Sequence, residues 1–337
     1  MLGRKVIVSA GFFTGIAAGV LLRTRRRTQF RNQVAFITGG SRGLGLVLAR
    51  EFALRGASVA IAARDPEELA RAETQLRACT DRVLVIAADM TMREEAEGAA
   101  QKAIEHFGRV DVLVNNAGTI SVGPAETMTI DDYRDSINTH FWGPYFTTMA
   151  VLPGMQKRRA GRIVNISSIG GKISVPHLLP YSVGKFALTG FSEGLRSELL
   201  KYNVSVTTVC PGLMRTGSPR NALFKGNNEA EYAWFSISDA LPLISMSAKR
   251  AARQIVDACG RGDAEIILSL PAKLAVLAHG LFPGTIINLL GLINGLLPPP
   301  GGIGEDVRTG KESWSKKLPS WIASLNERAA RENNEIA

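Results

Sequence analysis

Cysteine and histidine are scarce in this chain of 337 residues. The three cysteines, Cys79, Cys210 and Cys259, lie far apart, which excludes a disulfide scaffold and a cysteine-rich metal centre. They read as small buried apolar residues in a reducing compartment. The four histidines form no H-x-x-x-H pair, so there is no zinc motif. Low-complexity tracts and solenoid repeats are also absent. Charged residues make up only 21% against 45% hydrophobic, which supports a large core and excludes global disorder. At roughly 150 residues per domain, the length suits two units or one large domain with attachments.

The charge is unevenly placed. The formal net charge is +10. Residues 1–33 hold seven bases (Arg4, Lys5, Arg23, Arg25, Arg26, Arg27 and Arg31) and no acid, so the remainder has 33 bases against 30 acids. The body is therefore close to neutral, and no basic patch interleaved with aromatics argues for a nucleic-acid partner. Val6–Leu22 is free of charge and, as a helix, spans about 25 Å, near the ~30 Å of a bilayer core. A cleaved signal peptide is the rival reading, but no small-x-small site follows the apolar run. We expect a retained single-pass anchor and basic flank over residues 1–32. Five bases follow the segment and two precede it, which puts the body on the cytoplasmic side of a membrane. Gly11, Gly15 and Gly19 share one helix face, where two such helices can approach closely.

From Gln33 onward, short apolar runs alternate with helical stretches. The runs are Val34–Thr38, Ser58–Ala62, Val83–Ala87, Val110–Val114, Arg162–Ile166, Ser205–Val209 and Glu265–Leu268. This pattern predicts an α/β fold, a doubly wound parallel sheet of seven strands, over residues 33–270. Ligands of such sheets bind at the carboxyl ends of the strands. The first run ends in a glycine turn containing Thr38, Gly39, Ser41, Arg42, Gly43 and Gly45. Glycines there allow a pyrophosphate to approach the backbone and the N-terminus of the next helix. The second run ends in Ala63, Arg64 and Asp65. Ala63 stands where an acid would bind a ribose 2′-hydroxyl. Arg42 and Arg64 instead suit a 2′-phosphate, and hence NADP; otherwise both arginines are solvated surface residues.

Four motifs occur in order: Thr38 to Gly45; Asn115-Asn116-Ala117-Gly118; Tyr181-Ser182-Val183-Gly184-Lys185; and Pro211-Gly212 with Thr216. Ser168 lies 13 residues before Tyr181. Together they resemble the short-chain dehydrogenase/reductase family, in its single-domain branch, over residues 33–270. The resemblance implies a Rossmann-like fold and an NADP(H)-dependent oxidoreductase acting on a CH–OH/C=O pair. It also implies cofactor contacts from Asp89, Met90, Asn115, Ala117, Tyr181, Lys185 and Thr216, and dimer faces on the two long helices beside the active-site strands.

The chemistry follows from the residues. Tyr181 and Lys185 are neighbours across one helical turn. A phenol with a pKa of about 10 is a poor base at neutral pH, and a nearby ammonium is expected to lower that pKa. Ser168 holds the substrate oxygen. In reduction Tyr181 gives a proton to that oxygen as hydride reaches carbon, and in oxidation the roles reverse. One departure stands out. The family usually has an asparagine in an N-x-x-G context that supports a proton relay. Here the text is His140-Phe141-Trp142-Gly143, with Asn138 two residues earlier. Either His140 binds the relay water, or it is a core histidine whose backbone carbonyl alone does so. Gly184 is a smaller departure, at a position where serine is common.

Substrate-end signals are weaker. Gly217–Leu241 reads as a long irregular lid carrying Phe224, Tyr232, Trp234 and Phe235, aromatics that either line an apolar pocket or pack the lid onto the body. Leu274–Leu297 is apolar and interrupted by Pro283. Each half is too short to cross a bilayer, and packing at a membrane surface near the substrate entrance is the preferred reading for residues 271–300. In residues 301–337, Trp314, Leu318, Trp321 and Leu325 suggest one stripe of an amphipathic helix docked on the body. The expectation is a membrane-anchored NADP-dependent oxidoreductase with a lipophilic carbonyl or alcohol substrate, no metal, and a homo-oligomeric state left open. The alternatives are a membrane-located reductase of small soluble carbonyls and a non-catalytic NADP(H)-sensing scaffold.

Overall fold

The computed structural model describes residues 28–241, 245–314 and 319–336. The expected anchor Val6–Leu22 and its flank to Arg27 lie outside the described residues, as does Leu318. Among the described residues, no helix is long and apolar enough to cross a membrane.

The chain order is β1 (Val34–Thr38), α1 (Gly43–Leu54), β2 (Ser58–Ala63), α2 (Pro66–Arg77), β3 (Val83–Ala87), α3 (Arg93–Phe107), β4 (Val112–Asn115) and β5 (Ser121–Val122). Next come α4 (Ile130–Ile137), a π-helical turn (Asn138–Trp142), α5 (Gly143–Arg158), β6 (Gly161–Ile166), α6 (Leu179–Leu199), β7 (Val204–Pro211), β8 (Met214–Arg215) and β9 (Leu223–Phe224). The chain closes with α7 (Asn228–Ala240), β10 (Met246–Ser247), α8 (Ala248–Arg261), β11 (Glu265–Leu268), α9 (Leu270–Leu281), α10 (Pro283–Asn294), β12 (Arg308–Thr309) and α11 (Ser320–Glu332).

The main sheet has seven parallel strands in the order β11-β7-β6-β4-β1-β2-β3. Each of the seven apolar runs is one of these strands. All five residues of β1 are buried, as expected of a central strand covered on both faces. On one face, Leu46, Leu48 and Phe52 of α1 and Ile255 and Val256 of α8 join one core cluster. On the other, the alanines of α3 and Val151, Leu152 and Met155 of α5 form a second. The order jumps from β1 to β4 at the centre of the sheet. That is the topological switch point where the loops part and ligands of such folds bind. The thiols are free, with Cys210 and Cys259 buried and Cys79 half-buried.

Gly217–Leu241 differs from the expected irregular lid. It holds a 3-10 turn, β9 and the 13-residue helix α7. The inner face of α7 carries Glu231 and Asp239 as well as Tyr232 and Phe235. These buried acids conceal the apolar period in the sequence. Phe224, Tyr232 and Phe235 pack with Val122 and Ile322 in a third cluster, and the half-buried Trp234 packs against it, so all four aromatics fasten the lid to the body. The tail helix also differs. It starts at Ser320, after Trp314; Trp321 is 52% exposed, and Ile322, Asn326 and Ala330 are buried. Of these three only Ile322 is large and apolar, so a search for a stripe of large apolar residues misses it.

Pro283 divides the apolar C-terminal run into α9 and α10 and stands in the first turn of α10, where its missing N–H is harmless. No residue of α10 is buried. Leu292 and Leu296 are 74% and 85% exposed. Phe52 is fully buried, edge-on to Phe30 with ring centroids 5.0 Å apart. Phe52→Ala is expected to cost about 3–5 kcal/mol, read as a lower urea midpoint at an unchanged slope.

Candidate active site

The site grows from the carboxyl ends of β1, β4 and β6. At the end of β1, Thr38 Oγ1 accepts from the amides of Asn116 (3.0 Å) and Ala117 (3.1 Å), tying the glycine turn to the turn after β4. Gly45 packs so closely that a β-carbon there would stand 2.0 Å from Gly39 O, and only glycine fits. Asn116 Nδ2 donates to Thr38 O and Gly39 O, both at 3.1 Å. Asn115 faces inward instead. Its Oδ1 accepts from Thr147 Oγ1 (2.7 Å), and its Nδ2 donates to Asn165 Oδ1 (2.8 Å). Asn165 Nδ2 donates to Ser192 Oγ (3.1 Å), which also accepts from Thr208 Oγ1 (2.7 Å). The Asn115 side chain is thus consumed by the core, and only its main chain remains for a ligand. Sequence reading missed Thr147, Asn165, Ser192 and Thr208, because isolated polar residues in strands and helices carry no motif.

This network holds α6 against β6 and β7, and α6 carries Tyr181 and Lys185. Ser168 lies in the turn after β6. Its Oγ accepts from Gly170 N at 3.0 Å, which leaves its own hydrogen free. A β-carbon built on Gly170 would stand 3.2 Å from Tyr181 Cε1 and 3.4 Å from Ser168 Oγ, so the two side chains meet over this one backbone position. Lys185 Nζ donates to Ile166 O at 2.8 Å and lies 5.6 Å from the Tyr181 ring centroid.

His140 joins them from the π-helical turn, and Asn138 is exposed. Such turns commonly mark functional positions. The ring meets Tyr181 edge-on, with centroids 5.3 Å apart. His140 Nε2 lies 2.9 Å from Thr119 O. A carbonyl only accepts, so Nε2 carries the proton and Nδ1 is a bare acceptor. That Nδ1 is buried and has no partner among the described residues. The departure at Gly184 is explained by the same approach of elements. A β-carbon there would stand 2.5 Å from Ser136 Oγ and 3.1 Å from His140 Cβ, so serine at 184 does not fit beside this turn.

Burial governs the charges. It pushes the Tyr181 phenol up to about 12, against the pull of the Ser168 hydroxyl beside it. It brings Lys185 down to about 7. Burial also holds His140 well below its usual range, reinforced by Lys185. The direction for Tyr181 is thus opposite to the lowering expected from the lysine, and burial is its largest cause.

The cofactor side shows an unexpected arrangement of acids. Arg64 is exposed and lies 3.9 Å from Asp89. Asp89 Oδ1 accepts from Thr91 Oγ1 and N, and Met90 is buried beside it. Asp65 caps α2, accepting from Glu67 N and Glu68 N. Glu68 takes Arg42, one of the two arginines expected at a 2′-phosphate, with Nη1 at 2.5 Å, and also accepts from Ser41 Oγ at 2.9 Å. Sequence reading looked for an acid at the end of β2 and missed one a turn into the next helix. Thr216 is buried, and its Oγ1 accepts from Ser218 N at 3.1 Å.

A cavity of about 730 Å³ lies between α10 and the segment that leads into Tyr181. Val175, His177, Leu179, Phe186, Ile287 and Leu290 contribute to its walls. His177 has a left-handed backbone (φ 62°) and an Nδ1 2.8 Å from Glu231 Oε1. Glu231 Oε2 accepts from Trp234 Nε1 at 2.6 Å. The sequence gives no sign of this pairing, since 54 residues separate His177 from Glu231.

The chain belongs to the short-chain dehydrogenase family, whose family model matches residues 33–223. Members are oxidoreductases of CH–OH/C=O groups that use NAD(P) cofactors. Among curated relatives, dehydrogenase/reductase SDR family member 7B of Bos taurus is 33% identical, across 79% of this chain and 82% of that one. A short-chain dehydrogenase structure from Streptomyces avermitilis superposes with a TM-score of 0.68 at 30% identity, covering 78% of this chain and 98% of that one. A variant of actinorhodin polyketide ketoreductase with NADPH superposes with a TM-score of 0.63, also at 30% identity, over 70% of this chain and 95% of that one.

Lys185 yields a test in protein purified without added cofactor. The folded chain sheds this proton near pH 7, whereas the unfolded chain keeps it to about 10.5. Unfolding therefore takes up a proton between these values, and stability rises with pH across that window. Lys185→Met is expected to remove this contribution, so that it raises Tm more at pH 6 than at pH 9.5.

Proposed function

We propose that the chain is an NADP-dependent oxidoreductase that reduces a ketone or aldehyde of a lipophilic substrate, with Ser168, Tyr181 and Lys185 as its catalytic residues. The observation that carries this reading is the phenol of Tyr181, buried and kept protonated beside Ser168 and Lys185. A hydroxyl that stays protonated at neutral pH suits a general acid, and this favours reduction over oxidation. Ser168 donates its free hydrogen to the substrate oxygen and orients it toward Tyr181. Tyr181 Oη gives its proton to that oxygen as the carbon accepts hydride. Lys185, titrating near neutrality, stabilises the phenolate that remains. The bare Nδ1 of His140 holds a water that returns a proton through Lys185.

The glycine turn fits a dinucleotide. α1 begins without a side-chain cap from Arg42 and has no acidic residue in its first turn, as suits a helix N-terminus that receives a phosphate. Thr38, Gly39, Ser41, Arg42, Gly43, Gly45, Arg64, Asp89, Met90, Asn115, Ala117 and Thr216 would border it, with Tyr181 and Lys185 at its nicotinamide end. When bound, the nicotinamide supplies the hydride. Arg42 and Arg64 support the 2′-phosphate form. NAD is the second reading, and Glu68 favours it, since a carboxylate on Arg42 and Ser41 can also receive a ribose 2′-hydroxyl.

The mostly apolar cavity beside the Tyr181 segment and the exposed leucines of α9 and α10 support a lipophilic substrate taken from a membrane surface. They also agree with a cytoplasmic body held by a single N-terminal anchor. The aromatic cluster of Phe141, Trp142, Tyr145, Phe146 and Phe191, with Trp142 41% exposed, supports a homo-oligomer through α5 and α6.

Turnover of NADPH against a panel of lipid and small carbonyls, in detergent, tests the proposal. Tyr181→Phe is expected to lower kcat by about 10²–10⁴-fold while NADPH still binds. Full activity in that variant would remove Tyr181 from the chemistry. A parallel series with NADH decides between the two cofactors.

A further inference from the structure

The end of the chain returns to the glycine turn. After α11, Asn333, Asn334 and Glu335 pass between the start of α1, the first turn of α2 and Thr216. Asn333 O accepts from Gly43 N at 2.8 Å, and Asn333 Nδ2 donates to Thr216 O at 3.0 Å. Asn334 Nδ2 donates to Ser41 O (2.8 Å) and Glu68 O (3.1 Å), and its Oδ1 accepts from Arg71 Nε at 3.1 Å. Glu335 Oε2 stands 3.4 Å from Arg42 Nε and accepts from Asn221 Nδ2. Its Oε1 lies 2.8 Å from where a β-carbon on Gly43 would be. The Glu335 side chain is only 4% exposed.

These contacts are specific, because buried polar groups persist only where each finds a partner. The groups they occupy are those a dinucleotide needs: the first amide of α1, the Arg42 guanidinium and the Thr216 edge of the cleft. A carboxylate set against a guanidinium and a helix N-terminus is the protein's nearest equivalent of a phosphate. The arrangement is also poised to open. Burial pushes the Glu335 carboxyl up to about 7; Arg42 and Asn221 offset it only in part, and Glu68 adds repulsion. An ionised Glu335 is therefore held less firmly than its contacts alone suggest.

We propose that Asn333–Glu335 is an internal ligand of the cofactor phosphate subsite: it must leave for the dinucleotide to bind, and Glu335 is a cofactor-specificity residue that competes with a 2′-phosphate for Arg42. This rests on the reading that the glycine turn holds a nicotinamide dinucleotide. The segment lowers apparent affinity by the fraction of molecules in which it is released. A site open in one molecule in ten binds about tenfold more weakly than a permanently open one.

Fluorescence titration with NADPH and NADH tests this on three forms: the full chain, a chain ending at Glu332, and full-length Glu335→Gln. The shortened chain is expected to bind both dinucleotides about tenfold more tightly. Glu335→Gln is expected to tighten NADPH more than NADH. Equal or weaker binding by the shortened chain overturns the proposal, since a segment that clamps the cofactor would lose affinity when cut. Equal gains for both dinucleotides in Glu335→Gln overturn the specificity role. Hydrogen exchange on the full chain adds a readout independent of folding in the variants. The amides of Asn333, Asn334 and Glu335, bonded to Ala329, Arg331 and Ala330, should exchange faster once NADPH is added, and slower exchange overturns displacement. If no form binds either dinucleotide, the cofactor reading fails first and takes this inference with it. That result differs from equal binding by all forms.

Discussion

The chain of buried hydrogen bonds from Thr147 through Asn115, Asn165 and Ser192 to Thr208 crosses β4, β6 and β7 and reaches α5 and α6. Apolar packing alone leaves parallel strands and their covering helices free to slide by small amounts. Polar side chains that must each find a partner in a low-dielectric interior do not. These bonds set where α6 stands relative to the carboxyl ends of the strands. Ser168, Tyr181 and Lys185 inherit their mutual position from that placement. The Thr38 hydroxyl does the same for the glycine turn and the turn after β4, which fixes the cofactor side to the same frame.

Once α6 is set, burial determines the electrostatics. Three ionisable groups sit together, and each is driven toward its neutral form: Tyr181 upward, Lys185 and His140 downward. The pairwise attraction suggested by spacing of four residues along a helix is the smaller effect. A site of neutral, closely packed groups holds protons without holding charge. His140 enters this set because a π-helical turn carries its ring inward, and Gly184 gives the turn room to approach α6.

The C-terminal third surrounds this centre with two contrasting surfaces. Residues 333–335 are polar, buried and fully engaged at the glycine turn. The hairpin of α9 and α10 is apolar and open, and one side of it borders the cavity near Tyr181. The glycine turn and the cavity near Tyr181 are thus each bordered by chain outside the repeating β-α pattern.

The seven strands were legible in sequence because a strand covered on both faces must be a short unbroken apolar run, and such runs stand out among charged helices. The Tyr181–Lys185 spacing and the position of Ser168 were legible for a related reason, since helix geometry and the end of a strand are local properties. What remained hidden depends on distant partners. No pattern in residues 228–240 shows that Glu231 belongs with His177, and the buried acids of α7 disguised a helix as a loop. The text around Gly143 allows His140 either of two roles, and only the folded π-helical turn shows its ring against Tyr181 with Nδ1 unpartnered. Arg42 looked like a free cation until Glu68 and Glu335 met it, one from the next helix and one from 293 residues away. The local period of the chain determined its sheet and the spacing of Ser168, Tyr181 and Lys185. The charge state of each group depends on which distant side chains exclude water from it, and that was decided only by tertiary structure.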